Sequence, residues 1–466
     1  MCANPLRKFP SIHELLENPK LKTLAERLHP GAVVSTVRVV LDEVATEVHN
    51  AAVEKALPSV TELAERISRR VLEGHAWQTS RAINATGLLL HPELGAPPWA
   101  DAAVEAMVAA TSGYAKHQSA SSSRAPCKDD AVRQRIKELA GAEDALVLSS
   151  AASTMMATLA ALSNGKDTVV ARRDLVRRGN DYDVAELVDA AGARRREIGA
   201  ANQVALDDYR RGLVDEAGAL LVVCRDDAAK SEDDNVSLKE LVRLGHEKHV
   251  PVIHDIGLGM LVDPAPLGID FVPRVNRSIE AGADLVVFSH EMLGGPQCGM
   301  VAGRRSLIEK IDANAAARAS RVGRPLMAAL AATFDLMEST DKARQDIPLL
   351  RLAGASADNL KNRAERMAPQ LAAAEVVDRA EVVPALGSLV ESRPIEGEMA
   401  GWAIALTPRE QSVGQLAEAL ARANPAVVGT IDGERLLLNM RTILAETDMR
   451  LVEVVEGLGE KADAEP

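Results

Sequence analysis

At 466 residues the chain exceeds the length over which one hydrophobic core usually keeps growing, which predicts two or three domains. A hydrophobic content of 47% argues against a disordered chain, while no apolar run approaches the ~18–20 residues that a membrane span needs. The formal charge of −13, with 54 basic against 67 acidic residues, and an aromatic content of 2% argue against a general polyanion-binding surface and against base-stacking platforms.

The start of the chain runs from Arg7 and Lys8 into a mixed, charged stretch rather than an apolar signal core. Cysteines at 2, 127, 224 and 298 are too far apart to form a chelating or redox pair, so a cytoplasmic location is expected and no metal site is predicted. Residues 1–76 read as a small helical domain. Val33, Val37, Val40, Leu41, Val44 and Val48 share one helical face, and Leu63, Ile67 and Val71 another. Ser59 and Glu62 have capping-box spacing. The first 75 residues carry ten basic and ten acidic side chains, so the negative excess lies further on.

Across 77–338 short apolar runs alternate with amphipathic helical stretches. Strands are expected at 145–148, 168–171, 196–198, 220–224, 251–253 and 285–288, with helices at 184–190, 206–213 and 238–246. Apolar strands separated by helices predict an α/β domain whose mostly parallel sheet is covered on both faces. Over 339–466 a charged helix near 358–374 and short strands near 382–387, 402–406 and 427–438 predict a small α+β domain.

Three stretches could carry chemistry. The hydroxyl-rich turn after 145–148, with Ser150, Ser153 and Thr154 at a helix start, suits a phosphate, although ordinary helix capping explains it as well. Asp255 follows an apolar strand, where a carboxylate points into the crevice at the carboxyl edge of a parallel sheet; a turn aspartate is the plainer alternative. The run after Phe288 passes through Ser289, His290, Glu291 and Met292 to Gly294 and Gly295, whose missing side chains permit close backbone approach. Many proteins that use pyridoxal phosphate place their cofactor-binding lysine in such a turn, yet between Lys248 and Lys310 this chain has no lysine.

The run R-A-I-N-A-T-G-L-L-L-H over 81–91, together with L-A-G-A-E at 139–143, A-G-A-D at 281–284, L-G-G-P-Q at 293–297 and L-L-L-N-M-R-T at 436–442, resembles the bacterial selenocysteine synthase family, L-seryl-tRNA(Sec) selenium transferase. The likeness extends from residue 6 to about residue 445. It implies a fold-type I (aspartate aminotransferase-like) pyridoxal-phosphate core, a small C-terminal domain, an N-terminal domain that grips tRNA, and assembly as a dimer or a ring of dimers. By resemblance Asp255 faces the pyridine nitrogen, Ser150 to Thr154 hold the phosphate, Arg441 binds substrate, and Arg318 and Arg321 meet the selenium donor.

The departures lie where catalysis belongs. The family's S-x-D-K-L-L-G-G-P-Q appears one residue shorter as S-H-E-M-L-G-G-P-Q over 289–297, so Met292 or Glu291 stands at the lysine position. Ala96 replaces the arginine of the family's L-G-R-A-P, and Cys224 a pocket histidine. The resemblance therefore implies a divergent member with altered or lost catalysis and pyridoxal phosphate held noncovalently. Two alternatives stand beside it: a lysine-independent enzyme that uses His290 as its base on pyridoxal or pyridoxamine phosphate, and a noncatalytic RNA- or partner-binding paralogue.

Overall fold

The computed structural model describes residues 10–27, 33–41, 44, 58–74, 81–114, 128–178, 182–224, 236–267, 269, 272–289, 294–390 and 398–459. The chain divides into two compact units, residues 1–81 and 82–466. The stretches read above as 77–338 and 339–466 share the second unit from residue 82 onward.

The first unit contains the helices Ile12–Leu16, Pro19–Arg27 and Val60–Gly74, with residues 33–41 also helical. Helical spacing puts Leu15, Leu21, Val33, Val37, Val40, Val44, Leu63, Ile67 and Val71 into one buried cluster, as the apolar periodicity requires. Val48 lies outside the described residues. The Ser59 hydroxyl accepts from the Glu62 amide at 3.2 Å, and the Ser59 amide donates to Glu62 Oε2 at 2.6 Å, which closes the reciprocal cap that their spacing predicts.

The second unit opens with β1 (Ala82–Asn84) and then builds its main sheet from β2 (Asp144–Leu148), β3 (Asp167–Ala171), β6 (Arg194–Ile198), β7 (Ala217–Val223), β8 (Val252–Leu258), β9 (Leu285–Ser289) and β10 (Gly299–Gly303). A two-stranded hairpin, β4 (Arg177–Arg178) and β5 (Tyr182–Asp183), sits in the connection between β3 and β6. The sheet order is β2-β10-β9-β8-β7-β3-β6. β10 is antiparallel to β2 and β9, and the other pairings are parallel, so every strand except β10 ends at the same edge.

Alternation along the strands serves both faces. Val147, Val286, Phe288, Met300 and Ala302 enter one apolar cluster, while Leu146, Leu148, Leu285, Val287 and Val301 enter another. Burial on both faces explains why the strands read as continuous apolar runs. Strand β10 escapes that reading because glycines bracket three apolar residues. Strand β8 extends to Leu258, beyond the expected 251–253, so Asp255 stands inside a strand.

The C-terminal sheet is antiparallel, in the order β11 (Val377–Gly387), β12 (Met399–Pro408), β15 (Arg435–Asn439), β14 (Thr430–Asp432), and β13 (Ala426–Val428) pairs in parallel with β1. Helices Ala357–Ala372 and Asp448–Glu456 supply Leu360, Ala364, Leu371, Leu451 and Val455 to its core. They are joined by Arg363, whose Nε and Nη2 reach the two oxygens of Asp448 at 3.0 and 2.6 Å while Nη2 also donates to the Ile443 carbonyl at 2.9 Å. Truncation strands Asp448 against a buried wall, so Arg363→Ala should cost about 3–5 kcal/mol in chemical denaturation of the protein. A loss comparable to that at an exposed pair such as Lys20–Glu65 would show that the fork contributes little.

Candidate functional site

The carboxyl ends of β2, β7, β8 and β9 meet at one edge of the main sheet, where open parallel sheets receive ligands. At the end of β2 the chain turns through Ser149 and Ser150 into the helix Ala151–Ser163. Ser150 Oγ accepts from the Ser153 amide at 3.1 Å, the Ser150 amide donates to Ser153 Oγ at 3.0 Å, and Thr154 Oγ1 donates to the Ser150 carbonyl at 2.8 Å. These three hydroxyls thus hold the helix start together. An arriving anion meets the positive end of the helix, whose first-turn amides point outward along the axis.

The start of β10 packs directly on this turn. A Cβ on Gly299 would lie 2.2 Å from the Ser150 carbonyl oxygen and 2.3 Å from Thr154 Oγ1, so only glycine allows this approach. Gly294 and Gly295 are buried just ahead of it, and Gly294 adopts φ of +63°. Ser289, at the last position of β9, is buried, and its Oγ has no hydrogen-bond partner among the described residues. His290, Glu291 and Met292 lie outside the described residues.

Asp255 is 1% exposed. A register shift between β8 and β9 falls at Asp255 and Gly257, where Gly257 takes φ of +60° and turns its amide onto Asp255 Oδ1 at 2.9 Å. Tyr182 donates its hydroxyl to Asp255 Oδ2 at 3.0 Å, and Arg178 Nη2 stands 3.8 Å from the same oxygen. The Arg178 guanidinium also donates to the Cys224 carbonyl at the end of β7. The neighbouring His254 pairs its Nδ1 with Ser278 Oγ at 2.9 Å. Burial, helped by the positive Arg178, pushes the His254 imidazole down to about 4, so it is neutral at pH 7.

The other predicted residues have partners of their own. The Ser149 amide donates to the Ser320 carbonyl at 2.8 Å, and Arg321 bridges to Leu148, which brings the 320–321 backbone beside the turn after β2. The Arg321 guanidinium is drawn to Asp312 at 2.8 Å, and Arg318 donates to the Ala313 carbonyl. Arg441 is 3% exposed and donates to the carbonyls of Leu352, Ala353, Ala355 and Ala400, while its Nε has no partner among the described residues. Burial lowers its pKa from the usual guanidinium value. It forms one wall of a cleft of about 410 Å³ that Arg344, Gly354, Glu398 and Met399 also line.

Sequence reasoning missed Arg178 and Tyr182. Their strands are two residues each, too short to show alternation, and the stretch reads as a polar loop.

Two measurements probe this edge. Gly299→Ala should destabilise the protein by about 1–3 kcal/mol, because backbone rather than a flexible side chain blocks the new methyl. Unchanged urea unfolding would show that the two segments separate freely. His254 binds a proton more readily unfolded, near 6.5, than folded, near 4. The stability it permits is therefore complete above pH 6.5 and falls as the pH drops toward 4, by about 3 kcal/mol at most. In His254→Gln that part of the pH dependence should vanish from the unfolding free energy, and an identical profile would refute the assignment.

Comparison with known proteins places this geometry. Residues 82–444 match the family model for L-seryl-tRNA selenium transferase. The chain is 32% identical over 451 residues to the L-seryl-tRNA(Sec) selenium transferase of Carboxydothermus hydrogenoformans, covering 95% of each chain. It is likewise 32% identical over 463 residues to that of Moorella thermoacetica, covering 97% of this chain and 98% of the relative. Among solved structures, a D-glucosaminate-6-phosphate ammonia-lyase superposes with a TM-score of 0.58 at 17% identity, over 84% of this chain and 99% of that one. The fold is the fold-type I, aspartate aminotransferase-like α/β architecture with a mostly parallel central sheet. With a family match over most of its length and near-full-length relatives at 32% identity, the chain belongs to the L-seryl-tRNA selenium transferase family.

Proposed function

We propose that this protein is a selenocysteine synthase-like member of its family that holds pyridoxal phosphate without a covalent link and whose catalysis is altered or lost. The observation that carries the proposal is a helix start suited to an anion and a buried carboxylate at a sheet edge whose β8, β9 and glycine turn bring no lysine. The chain between Lys248 and Lys310, which supplies β8, β9 and the glycine turn, contains no lysine.

The residues at the sheet edge fit a phosphorylated pyridine. The start of helix Ala151–Ser163 suits the phosphate, the buried Asp255 suits the ring nitrogen, and the Ser289 hydroxyl is a buried polar group without a hydrogen-bond partner among the described residues. When bound, the cofactor supplies an electron sink for bond cleavage at the α-carbon of an amino acid. The protein's part is to seat the phosphate at the helix start, to set through Asp255 the charge that faces the ring, and to keep water from the carboxylate by burying it. Without a covalent anchor the ligand must bear the whole association cost, so affinity depends on those few contacts.

The names of the relatives support an aminoacylated tRNA as the substrate class. To this we add residues 1–76 as its binding domain and a homo-oligomeric, cytoplasmic protein. The charge balance in the first 75 residues, neutral against the negative remainder, favours that end for RNA.

Titration of the purified protein with pyridoxal phosphate should give a saturable visible band that gel filtration removes. After borohydride reduction, mass spectrometry should find no phosphopyridoxyl group on a pocket side chain; such an adduct would overturn the noncovalent reading. Asp255→Ala should weaken binding at least tenfold, about 1.4 kcal/mol. Rapid conversion of seryl-tRNA to selenocysteyl-tRNA would overturn the claim that catalysis is altered or lost.

A further inference from the structure

The hairpin β4–β5 gives the pocket a cation of its own. Register places Arg178 opposite Tyr182, so both side chains reach the same carboxylate from adjacent strands. Tyr182 donates to Asp255 Oδ2 at 3.0 Å, and the Arg178 guanidinium stands 3.8 Å from that oxygen with side-chain exposures of 7% for arginine and 1% for aspartate. Gly257 makes room for it: a Cβ there would lie 2.8 Å from Arg178 Nη1 and 3.0 Å from its Cζ. Asp183, next along the hairpin, fixes the start of helix Val184–Ala190 by accepting from the Ala185 amide at 2.8 Å. The hairpin is thus tied down on the strand that carries the tyrosine.

We infer that Arg178 is a specificity-determining residue, a resident cation that already neutralises Asp255 and so keeps the ring nitrogen of a bound pyridoxal phosphate unprotonated. The inference rests on the cofactor reading above and adds the electronic state in which the cofactor is held. A carboxylate alone favours a protonated pyridine nitrogen, because the pair then carries no net charge. With a guanidinium beside it in a buried site, a pyridinium would put two cations against one anion. A neutral ring nitrogen accepts hydrogen bonds, and guanidinium donors suit it. An unprotonated ring withdraws electrons from the α-carbon less strongly, which selects against steps that build negative charge there.

The test uses pyridoxal phosphate labelled with ¹⁵N in the ring and bound to the full-length protein, because the ¹⁵N shift reports protonation of the ring nitrogen without any turnover. The wild type should show the unprotonated shift across pH 6–8. Arg178→Met should move it to the pyridinium range and bind the cofactor at least threefold more tightly. Tyr182→Phe, which keeps the guanidinium, should leave the ring unprotonated. A pyridinium shift in the wild type overturns the inference by itself, whether or not Arg178→Met folds, and leaves the cofactor reading intact. An unprotonated ring in a folded Arg178→Met overturns it too. Failure of both proteins to bind the cofactor removes the cofactor reading, and this inference with it.

Discussion

A carboxylate with 1% of its surface exposed has to be satisfied from within the protein, and the sheet edge is organised around doing so for Asp255. One oxygen takes the Gly257 amide, which requires the positive φ and the register shift in β8. The other takes the Tyr182 hydroxyl and faces Arg178, which requires the hairpin between β3 and β6. The Asp255 carbonyl accepts from the Cys224 amide at 2.7 Å, so the backbone of β7 is fixed by the same residue. Strand, bulge and hairpin are therefore coupled through a single buried charge, and any ligand at this edge enters a network that already balances electrically.

The anion seat has a different origin. It depends on how closely β10 approaches the turn after β2, and this depends on Gly299 having no side chain. An antiparallel strand between β2 and β9 brings its amino end to the edge where the parallel strands finish. Gly299 thereby lies against the helix start and opposite Ser289 in the register of β9. The geometry at the helix start is thus fixed by backbone, while the geometry around Asp255 is fixed by side chains.

That division explains what was legible in the sequence. Strands 145–148, 168–171 and 285–288 stood out because burial on both faces forces continuous apolar runs, and each lies within an observed strand. Helix 184–190 coincides with Val184–Ala190, and the expected Ser59–Glu62 cap is present. Asp255 and the turn at Ser150 could be named because strand ends announce where a parallel sheet gathers ligands. Arg178 and Tyr182 gave no such signal: each belongs to a two-residue strand, and their meeting with Asp255 across 73 or more residues is a tertiary fact. Arg441 shows the converse. Its motif is legible, yet four backbone carbonyls that no local pattern reveals take up its guanidinium donors.

The persistence of the fold beside a lysine-free pocket follows from where stability resides. The sheet is held by apolar clusters on its two faces, built from residues such as Leu146, Val287 and Val301 on one side and Val147, Phe288 and Met300 on the other. None of these depends on an amine at the end of β9, so the packing of the sheet does not require covalent chemistry there. The buried Asp255 is different, because a vacated carboxylate is costly unless another cation answers it. Arg178 supplies that answer from inside the chain. A pocket whose charge is already balanced stays folded without a ligand, and the same balance leaves a bound ring less able to draw electrons. The stability of the buried carboxylate and the electronic state proposed for a bound ring then have one physical cause.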